Sequence, residues 1–528
     1  MATKTYIGLS LGTDNSVIAI INKEHGAEVI ANEDGEHKTP TYIAFSGDEE
    51  YHGSQAKHQL VRNAESTLQG FMGMLGREYS AELAAAHEGY ARVEDGPRGA
   101  EFVVATESGE VRLTAHEAAV RYLGRLRTTA EAYLGRTIEG AVLGVPMTRT
   151  SAQRAAIGQA CAEAGLPLLQ LVDEPVAAAM QYGVGQTARD ETVLVVDVGG
   201  SGADVAVVVS TGGLVTVAGS AHTSEVSGKH LDMVLAKHFA GEFQKQGGAN
   251  VLEQTHGKPM RKLLQAVEVT KRTLSAAPTA PCAVESLAGG MDYNGTVTRT
   301  RFDILANKAY APLEAAIEQA LESSGYSAEQ IDQVLLCGGA ARVRKLQTRV
   351  ALMFPESTQV RSEGELDEVV ASGCAAQAAL LAQSSVAAQA AVSAQVLQAP
   401  VGLRVSSERM EAVLLKNTPL PAKRSVKVVL PAGETRAYIA VSEGEPVPKA
   451  EVEDEDEDEE SEDEEDDEEP PRYRPSRLLA EMILELDEAT EATRVEVSFF
   501  VGTDGKLTVT AAEPVSGKTI TAEIPASN

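Results

Sequence analysis

Tyr6-Ile-Gly-Leu-Ser-Leu-Gly-Thr-Asp-Asn-Ser-Val-Ile-Ala-Ile20 and Val193-Leu-Val-Val-Asp-Val-Gly-Gly-Ser-Gly-Ala-Asp-Val-Ala-Val207 repeat one pattern. In each, an apolar strand runs into a glycine turn and a second apolar strand leaves it. Superposed, Gly12 meets Gly199 and Thr13 meets Gly200. Glycine tolerates positive φ and lets a ligand approach the backbone, and the N–H groups of such a turn form an anion-binding concavity. Either turn alone reads equally well as an ordinary hairpin. Paired, they point to a duplicated fold that grips a polyphosphate from two sides. The copies differ at one position with chemical weight. Asp197 ends its strand where a carboxylate can hold the water shell of a magnesium ion, whereas the first copy has the uncharged Ser10.

The bulk composition sets the frame for that pair. At 528 residues the chain is too long for one core, so several domains are expected. No apolar run reaches the ~18 residues of a membrane span, and the first residues do not resemble a signal peptide. A cytoplasmic location is therefore expected. Cys161, Cys282, Cys337 and Cys374 are scattered without a CxxC pair and read as buried apolar residues. The net charge is −31, but Glu451 to Glu469 holds 17 acids and no base, which leaves −14 for the remainder. Direct nucleic-acid binding by such a body is not expected.

Outward from the first turn, Val17–Ile21, residues 28–31 and Tyr42–Phe45 read as short strands. Residues 81–109 lack periodicity and read as a peripheral lobe. Thr114 to Tyr133 has helical spacing and opens with Thr114-Ala-His-Glu117, a capping box. Ala141–Val145 is a buried strand stopped by Pro146; a helix, a strand at Leu168–Val172 and the second turn follow. This alternation predicts an α/β core. Leu231 to Leu274 is helical, and Glu268, Lys271, Arg272 and Ser275 share one helical face. That face fits a solvated, salt-bridged surface as well as a ligand. Val334-Leu-Leu-Cys-Gly-Gly-Ala-Ala-Arg342 ends a strand in a Gly338-Gly339 turn, at a strand's carboxyl end, where open α/β sheets bind ligands. Residues 375–396 are rich in Ala and Gln and read as a helix fading into a connector. Beyond Pro400 alternating strands predict a small β-domain, interrupted at about 450–475 by the acidic run, which is expected to be disordered. Ser516-Gly-Lys-Thr519 echoes a phosphate-binding motif but lies between strands and reads as a hairpin turn.

Leu11-Gly-Thr13, Asp197-Val-Gly-Gly200, Glu268 to Ser275, Cys337-Gly-Gly339 and Glu174-Pro-Val-Ala-Ala-Ala179 together resemble the actin-like nucleotide-binding domain of the heat shock protein 70 chaperones. Asn417-Thr-Pro-Leu420 and Gly505-Lys-Leu-Thr-Val-Thr-Ala511 resemble that family's peptide-binding sandwich. The resemblance implies an α/β, duplicated actin-like domain at 1–384, a linker at 385–399, and a β-sandwich domain at 400–528 without a helical lid. It also implies ATP in the cleft. Gly12, Thr13 and Asp14 would face the phosphates from one side and Gly199, Gly200 and Ser201 from the other. Glu268, Lys271, Arg272 and Ser275 would line the ribose and adenine, with Gly338, Gly339, Arg342 and Asp367 behind the base.

The departures from the family carry their own expectations. Ser10 and Met72 fall on positions the family fills with a catalytic aspartate and lysine, while Glu174, Asp197 and Asp204 remain. Asp197 is the one candidate for water-mediated magnesium. Asp14 replaces a threonine, and its carboxylate about 5 Å from a phosphate charge costs ~3 kcal/mol at an effective dielectric of 20, so its side chain is expected to point away. These features resemble the lidless branch that works at the ribosome in fungi. That implies an ATP-binding co-chaperone with little or no hydrolysis, held by a zuotin-like J-domain protein. Through that partner it would reach the ribosome, a second heat shock protein 70 chaperone and nascent chains. The alternatives are an ATPase chaperone cycling on unfolded clients and a small-molecule kinase; the β-domain argues against the kinase.

Overall fold

The computed structural model describes residues 5–383, apart from 23–25, 108, 187–189, 212–213 and 254, and residues 397–525, apart from 398, 407–408, 417, 419–421, 432, 448–472, 487–492, 503–504 and 515. The chain divides into two compact units, 1–391 and 392–528.

Two sheets with the same central strand order form the heart of the first unit. In one, Tyr6–Leu11 pairs antiparallel with Asn15–Asn22 and parallel with Gly140–Val145, and Leu168–Asp173 and Gly26–Val29 form the edges. In the other, Glu191–Val198 pairs antiparallel with Ala203–Thr211 and parallel with Gln333–Cys337, flanked by Leu214–Thr223 and Gln359–Arg361. The order is the same, so the duplication read from the two turns extends to whole sheets. The central strands are buried on both faces, which is why they read as continuous apolar runs: Val193, Leu194, Val195 and Val196 are all buried.

Several helices lie where the sequence placed them, whereas Gly53–Gln59 and Ala311–Ser324 were not singled out. Ala115–Leu134 opens on the reciprocal Thr114–Glu117 capping box and stops at Gly135, whose φ of 65° lets the chain leave the last turn. Leu231 to Leu274 resolves into two helices, Gly228–Lys245 and Lys258–Ala276. Val369–Gln383 is rich in Ala and Gly because it lies against backbone. A Cβ on Gly8 would strike the Ala371 carbonyl and Ala375 nitrogen, and one on Gly373 would strike the Ala177 carbonyl. The part of that expected helix beyond residue 383 lies outside the described residues. Residues 81–109 are more ordered than their lack of periodicity suggested. They hold a short helix, Ala81–Ala85, and the strands Arg92–Gly96 and Gly99–Thr106, which join Gly109–Thr114 in a three-stranded antiparallel sheet. Glu101, on the central strand, is buried yet paired with Arg98, and such inward acids break the alternation a sequence reader looks for.

The second unit packs a closed four-stranded barrel and a four-stranded sheet over a shared core. Arg436–Pro446 lies between Val401–Arg404 and Tyr473–Glu485, with Met410–Leu414 closing that group; Ala422–Leu430, Thr493–Val501, Leu507–Ala512 and Thr519–Ile524 form the other. Period-two alternation is explicit in Thr493–Val501, where Val495, Val497, Phe499 and Val501 are buried and their neighbours point outward. Ser516 to Thr519 belongs to the hairpin joining the last two strands, with Gly517 at a φ of 73° and its N–H donating to the Glu513 carbonyl. It is a turn, as the sequence indicated. Val401–Arg404 and Met410–Leu414 are strands the sequence did not single out. The acidic run lies outside the described residues.

Candidate functional site

Every candidate turn leaves its sheet at the same end. Tyr6–Leu11, Gly140–Val145 and Leu168–Asp173 are parallel, so the Gly12 loop, the 146–150 segment and Glu174 emerge side by side at their carboxyl ends. In the second sheet Glu191–Val198 and Gln333–Cys337 deliver the Gly199 and Gly338 turns in the same way. The two glycine turns meet: the Thr13 hydroxyl lies 2.8 Å from that of Ser201. The first loop is fixed from below by Thr41, whose hydroxyl donates to the Gly12 carbonyl and whose N–H donates to the Asp14 carbonyl. The second is fixed by the helix beginning at Gly228: the Gly228 and Lys229 amides donate to the Gly199 and Gly200 carbonyls. The Gly199 N–H is used internally, on the Gly202 carbonyl. The Thr13, Asp14, Gly200 and Ser201 amides donate to no protein group among the described residues. Backbone donors left unpaired in facing turns are the cradle a phosphate chain needs.

Asp14 does not turn out of this cradle. Its carboxylate spans the two loops, accepting from the Gln69 side-chain amide at 2.6 Å and from Lys229 at 3.0 Å, so close over Gly200 that a Cβ there would overlap it. Burial works against charge on Lys229, yet Asp14 raises its pKa, so the pair is ionic and locally neutral. The expectation that Asp14 points away is corrected: its charge is cancelled in place by a lysine to which no sequence spacing pointed.

The adenosine-side candidates are all brought to the cleft and are engaged there. Glu268 accepts from Lys57, across the cleft on the helix Gly53–Gln59, at 2.9 Å and from Arg272 at 2.5 Å. Those cations hold its carboxyl below the usual range despite burial. Lys271 donates to Asp232 and to the Gly228 carbonyl, both at 2.8 Å. The Ser275 carbonyl accepts from Arg344. Opposite them Arg342 pairs with Asp367 and Glu365, and Asp367 also pairs with Lys38 from the first half. Gly338 has a φ of 85°, and a Cβ there would strike the Asp197 carboxylate and the Val198 backbone, so glycine is obligatory. A Cβ on Gly339 would come no closer than 3.9 Å to Asp367, so that position is roomy.

Beneath the loops sit the carboxylates. Asp197 faces Asp204 across the hairpin register. Burial, then the Asp204 charge, pushes the Asp197 carboxyl up to about 7. Burial, then Asp197, drives Glu174 well above its ordinary range. Asp204 is hydrogen-bonded to His222 at 2.9 Å. Ser10 pairs with Val17 and Gly144 and adds no charge. Met72 is buried in the short helix Phe71–Met74. Among the described residues no group of three or more His, Cys, Asp or Glu is arranged to hold a metal directly. The unpaired amides suit a phosphate chain, and the Glu174, Asp197 and Asp204 carboxyls act on one another beneath them.

A family model described as Hsp70 protein matches residues 6–454. The chain belongs to the heat shock protein 70 family. Within it, the chain is 36% identical to a heat shock protein 70 homologue of Schizosaccharomyces pombe, over 98% of this chain and 94% of that protein. It is 32% identical to the ribosome-associated complex subunit SSZ1 of Saccharomyces cerevisiae, over 98% of this chain and 99% of that one. A ribosome-associated molecular chaperone of the same yeast is 31% identical over 84% of this chain and 72% of its own length. The two-lobed actin-like fold and β-sandwich expected for a heat shock protein 70 are therefore both present. Among the described residues no helix is long and apolar enough to cross a membrane.

Several site residues escaped the sequence reading, among them Lys38, Lys57, Lys229 and Arg149. Lys57 and Lys229 each neutralise a candidate carboxylate from the facing half of the fold. No spacing links residues so far apart. Arg149 carries a local signal, a cation in the segment that follows the strand next to Ser10.

Proposed function

We propose that this heat shock protein 70 is a co-chaperone that binds ATP and largely does not hydrolyse it. It works in a stable complex with a J-domain protein of the zuotin type at the ribosome in the cytoplasm. It assists nascent chains there by stimulating a second heat shock protein 70 chaperone. The observation that carries the reading is Met72, buried and uncharged where the family resemblance puts a catalytic lysine, in a chain whose two loops are otherwise fit to hold phosphate. ATP, when bound, supplies the charge that draws the loops together; the amides of Thr13, Asp14, Gly200 and Ser201 bind its phosphate chain. Glu268, Lys271, Arg272 and Ser275 orient the nucleoside, with Gly338, Gly339, Arg342 and Asp367 behind the base. An electrostatic group such as the absent lysine contributes about two to three decades in rate, and Ser10 removes one acid from the set that would hold a magnesium shell, leaving Asp197 as the candidate on the second loop. The assignment to the ribosome rests on near end-to-end similarity to SSZ1, named as a subunit of the ribosome-associated complex. The second yeast relative, named as a ribosome-associated chaperone, belongs to the same family and exemplifies the separate chaperone.

Single-turnover hydrolysis measured beside the nucleotide content of the purified protein is the test. ATP retained over hours, with turnover appearing only in the Ser10→Asp, Met72→Lys double variant, is the expected result. Rapid multiple turnover by the natural sequence, stimulated by a J-domain, would instead place it among the cycling chaperone ATPases.

A further inference from the structure

Most cations that reach the cleft have a carboxylate partner; among the described residues Arg344, on the Ser275 carbonyl, and Arg149 do not. Lys229 is held by Asp14, Lys271 by Asp232, Lys57 by Glu268, Lys38 by Asp367 and Arg154 by Asp173. Arg149 has no carboxylate within 4.0 Å among the described residues; the one group its guanidinium bonds is the Gly73 carbonyl, at 3.1 Å. Gly73 adjoins Met72, so the guanidinium lies over the turn that carries the uncharged side chain. A Cβ on Gly73 would come within 3.8 Å of the Arg149 Nη2 atom. The placement follows from topology. Gly140–Val145 runs parallel to Tyr6–Leu11 with Gly144 opposite Ser10, and the chain beyond it passes the mouth of the first phosphate loop. Thr150 then caps the helix Ser151–Glu163, which fixes the segment immediately after Arg149.

The charge around this guanidinium gives its role. Burial works against its charge, the Glu174 and Asp204 carboxylates support it, and Arg77 opposes it. An arginine side chain remains charged under these conditions and carries five N–H donors in a planar fork. One donor is placed here, so the others are available to oxygens arriving in the cleft. Phosphate oxygens match that fork in charge and geometry.

We propose that Arg149 is a phosphate-binding residue of this cleft. It returns to the site the positive charge absent at Met72 and allows ATP to bind without a divalent cation. The inference rests on the reading of the cleft as a nucleotide site and adds to it the residue that determines metal dependence. Divalent cations serve polyphosphate sites by offsetting charge between phosphates and carboxylates. Here Ser10 removes one of the acids that would share such an ion, and the Arg149 guanidinium feels the charges of Glu174 and Asp204.

The test is ATP affinity of the full chain, measured by titration calorimetry in magnesium and again in excess EDTA. For the natural sequence the two dissociation constants are expected to agree. Arg149→Met should weaken ATP binding by about tenfold to a hundredfold in EDTA, the range for a hydrogen bond to a charged group, and magnesium should recover part of the loss. Arg149→Lys, which keeps the charge and loses the fork, should fall between them. Nucleotide-free melting temperatures of all three proteins separate folding from binding; if Arg149→Met does not fold, Arg149→Gln and Arg149→Lys carry the comparison. A merely structural arginine would lower those melting temperatures and leave the ratio of the two affinities unchanged, and that result overturns the proposal. So does a natural protein that binds ATP only with magnesium. A natural protein that binds ATP in neither buffer overturns the nucleotide reading itself, and with it the role of Arg149.

Discussion

Asp14 and Lys229 form a unit in which each residue makes the other tolerable. An aspartate between two phosphate-binding loops is costly alone, and a partly buried lysine is costly alone; 3.0 Å apart they cancel. Lys229→Met should therefore leave an uncompensated carboxylate about 5 Å from phosphate charge, a penalty of ~3 kcal/mol before screening at an effective dielectric of 20. ATP affinity should drop by up to about a hundredfold, and adding Asp14→Asn should restore most of it. A double-mutant cycle on ATP affinity checks this. Asp197 gives a prediction with the opposite sign to ordinary acid denaturation. Its folded carboxyl titrates at about 7 against an ordinary value of 3.8, so between those values the unfolded chain binds fewer protons than the folded one. Stability contributed by this group is present below about 4 and is lost as pH rises toward 7, at about 1.4 kcal/mol for each pH unit crossed. The nucleotide-free, metal-free protein should melt higher at pH 5.5 than at pH 7.5, and Asp197→Asn should flatten that difference in a thermal-melt series. At this scale the sequence disclosed the glycines and acids, because turn chemistry is local. It did not disclose Lys57, Lys229 or Arg149, whose meaning depends on which distant group they face.

At the scale of elements, strand and helix identity followed from patterns that packing enforces. The paired glycine hairpins, the Thr114 capping box and the alternation in Thr493–Val501 were all legible because each is dictated within a few residues. Residues 81–109 were not legible, since an inward glutamate compensated by Arg98 contradicts simple alternation. The acidic run belongs to this scale too. Arg436–Pro446 pairs with Tyr473–Glu485 up to Pro446 opposite Tyr473, so the run is the connection of a hairpin whose arms already meet at its base. The stretch Glu451 to Glu469, with 17 acids, supplies little apolar surface to set against the entropy of ordering. Deleting Glu451 to Glu469 should thus leave the melting temperature within about 2 °C of the full chain, since ΔΔG values below ~0.5 kcal/mol are typical of changes away from a core. Differential scanning calorimetry of the deletion decides it; a large drop would mean that the segment packs.

For the whole molecule the decisive quantity is where partner affinity resides. The second unit has its own core and exposes Tyr438 and Ile483, directly opposite each other on neighbouring strands. An extended peptide held only by groove contacts and strand-edge hydrogen bonds exchanges readily. A segment tethered to a larger partner is different, because its effective concentration reaches the millimolar range for a short linker. The proposed J-domain partner should therefore place an extended segment on the β-unit while also binding the nucleotide unit, and free peptides of that segment alone should bind weakly. Truncating the chain at about Pro400 should weaken the complex by about a hundredfold or more, the lower range of such avidity. ATP binding by the remaining nucleotide unit should stay intact, since its loops, carboxylates and cations all lie before residue 384. Pull-down with the purified partner at high salt, alongside ATP titration of the same truncated protein, measures both arms. Full partner affinity without the β-unit would move the docking site to the nucleotide unit alone. Loss of ATP binding on truncation would mean that the two units do not act as separable binding bodies.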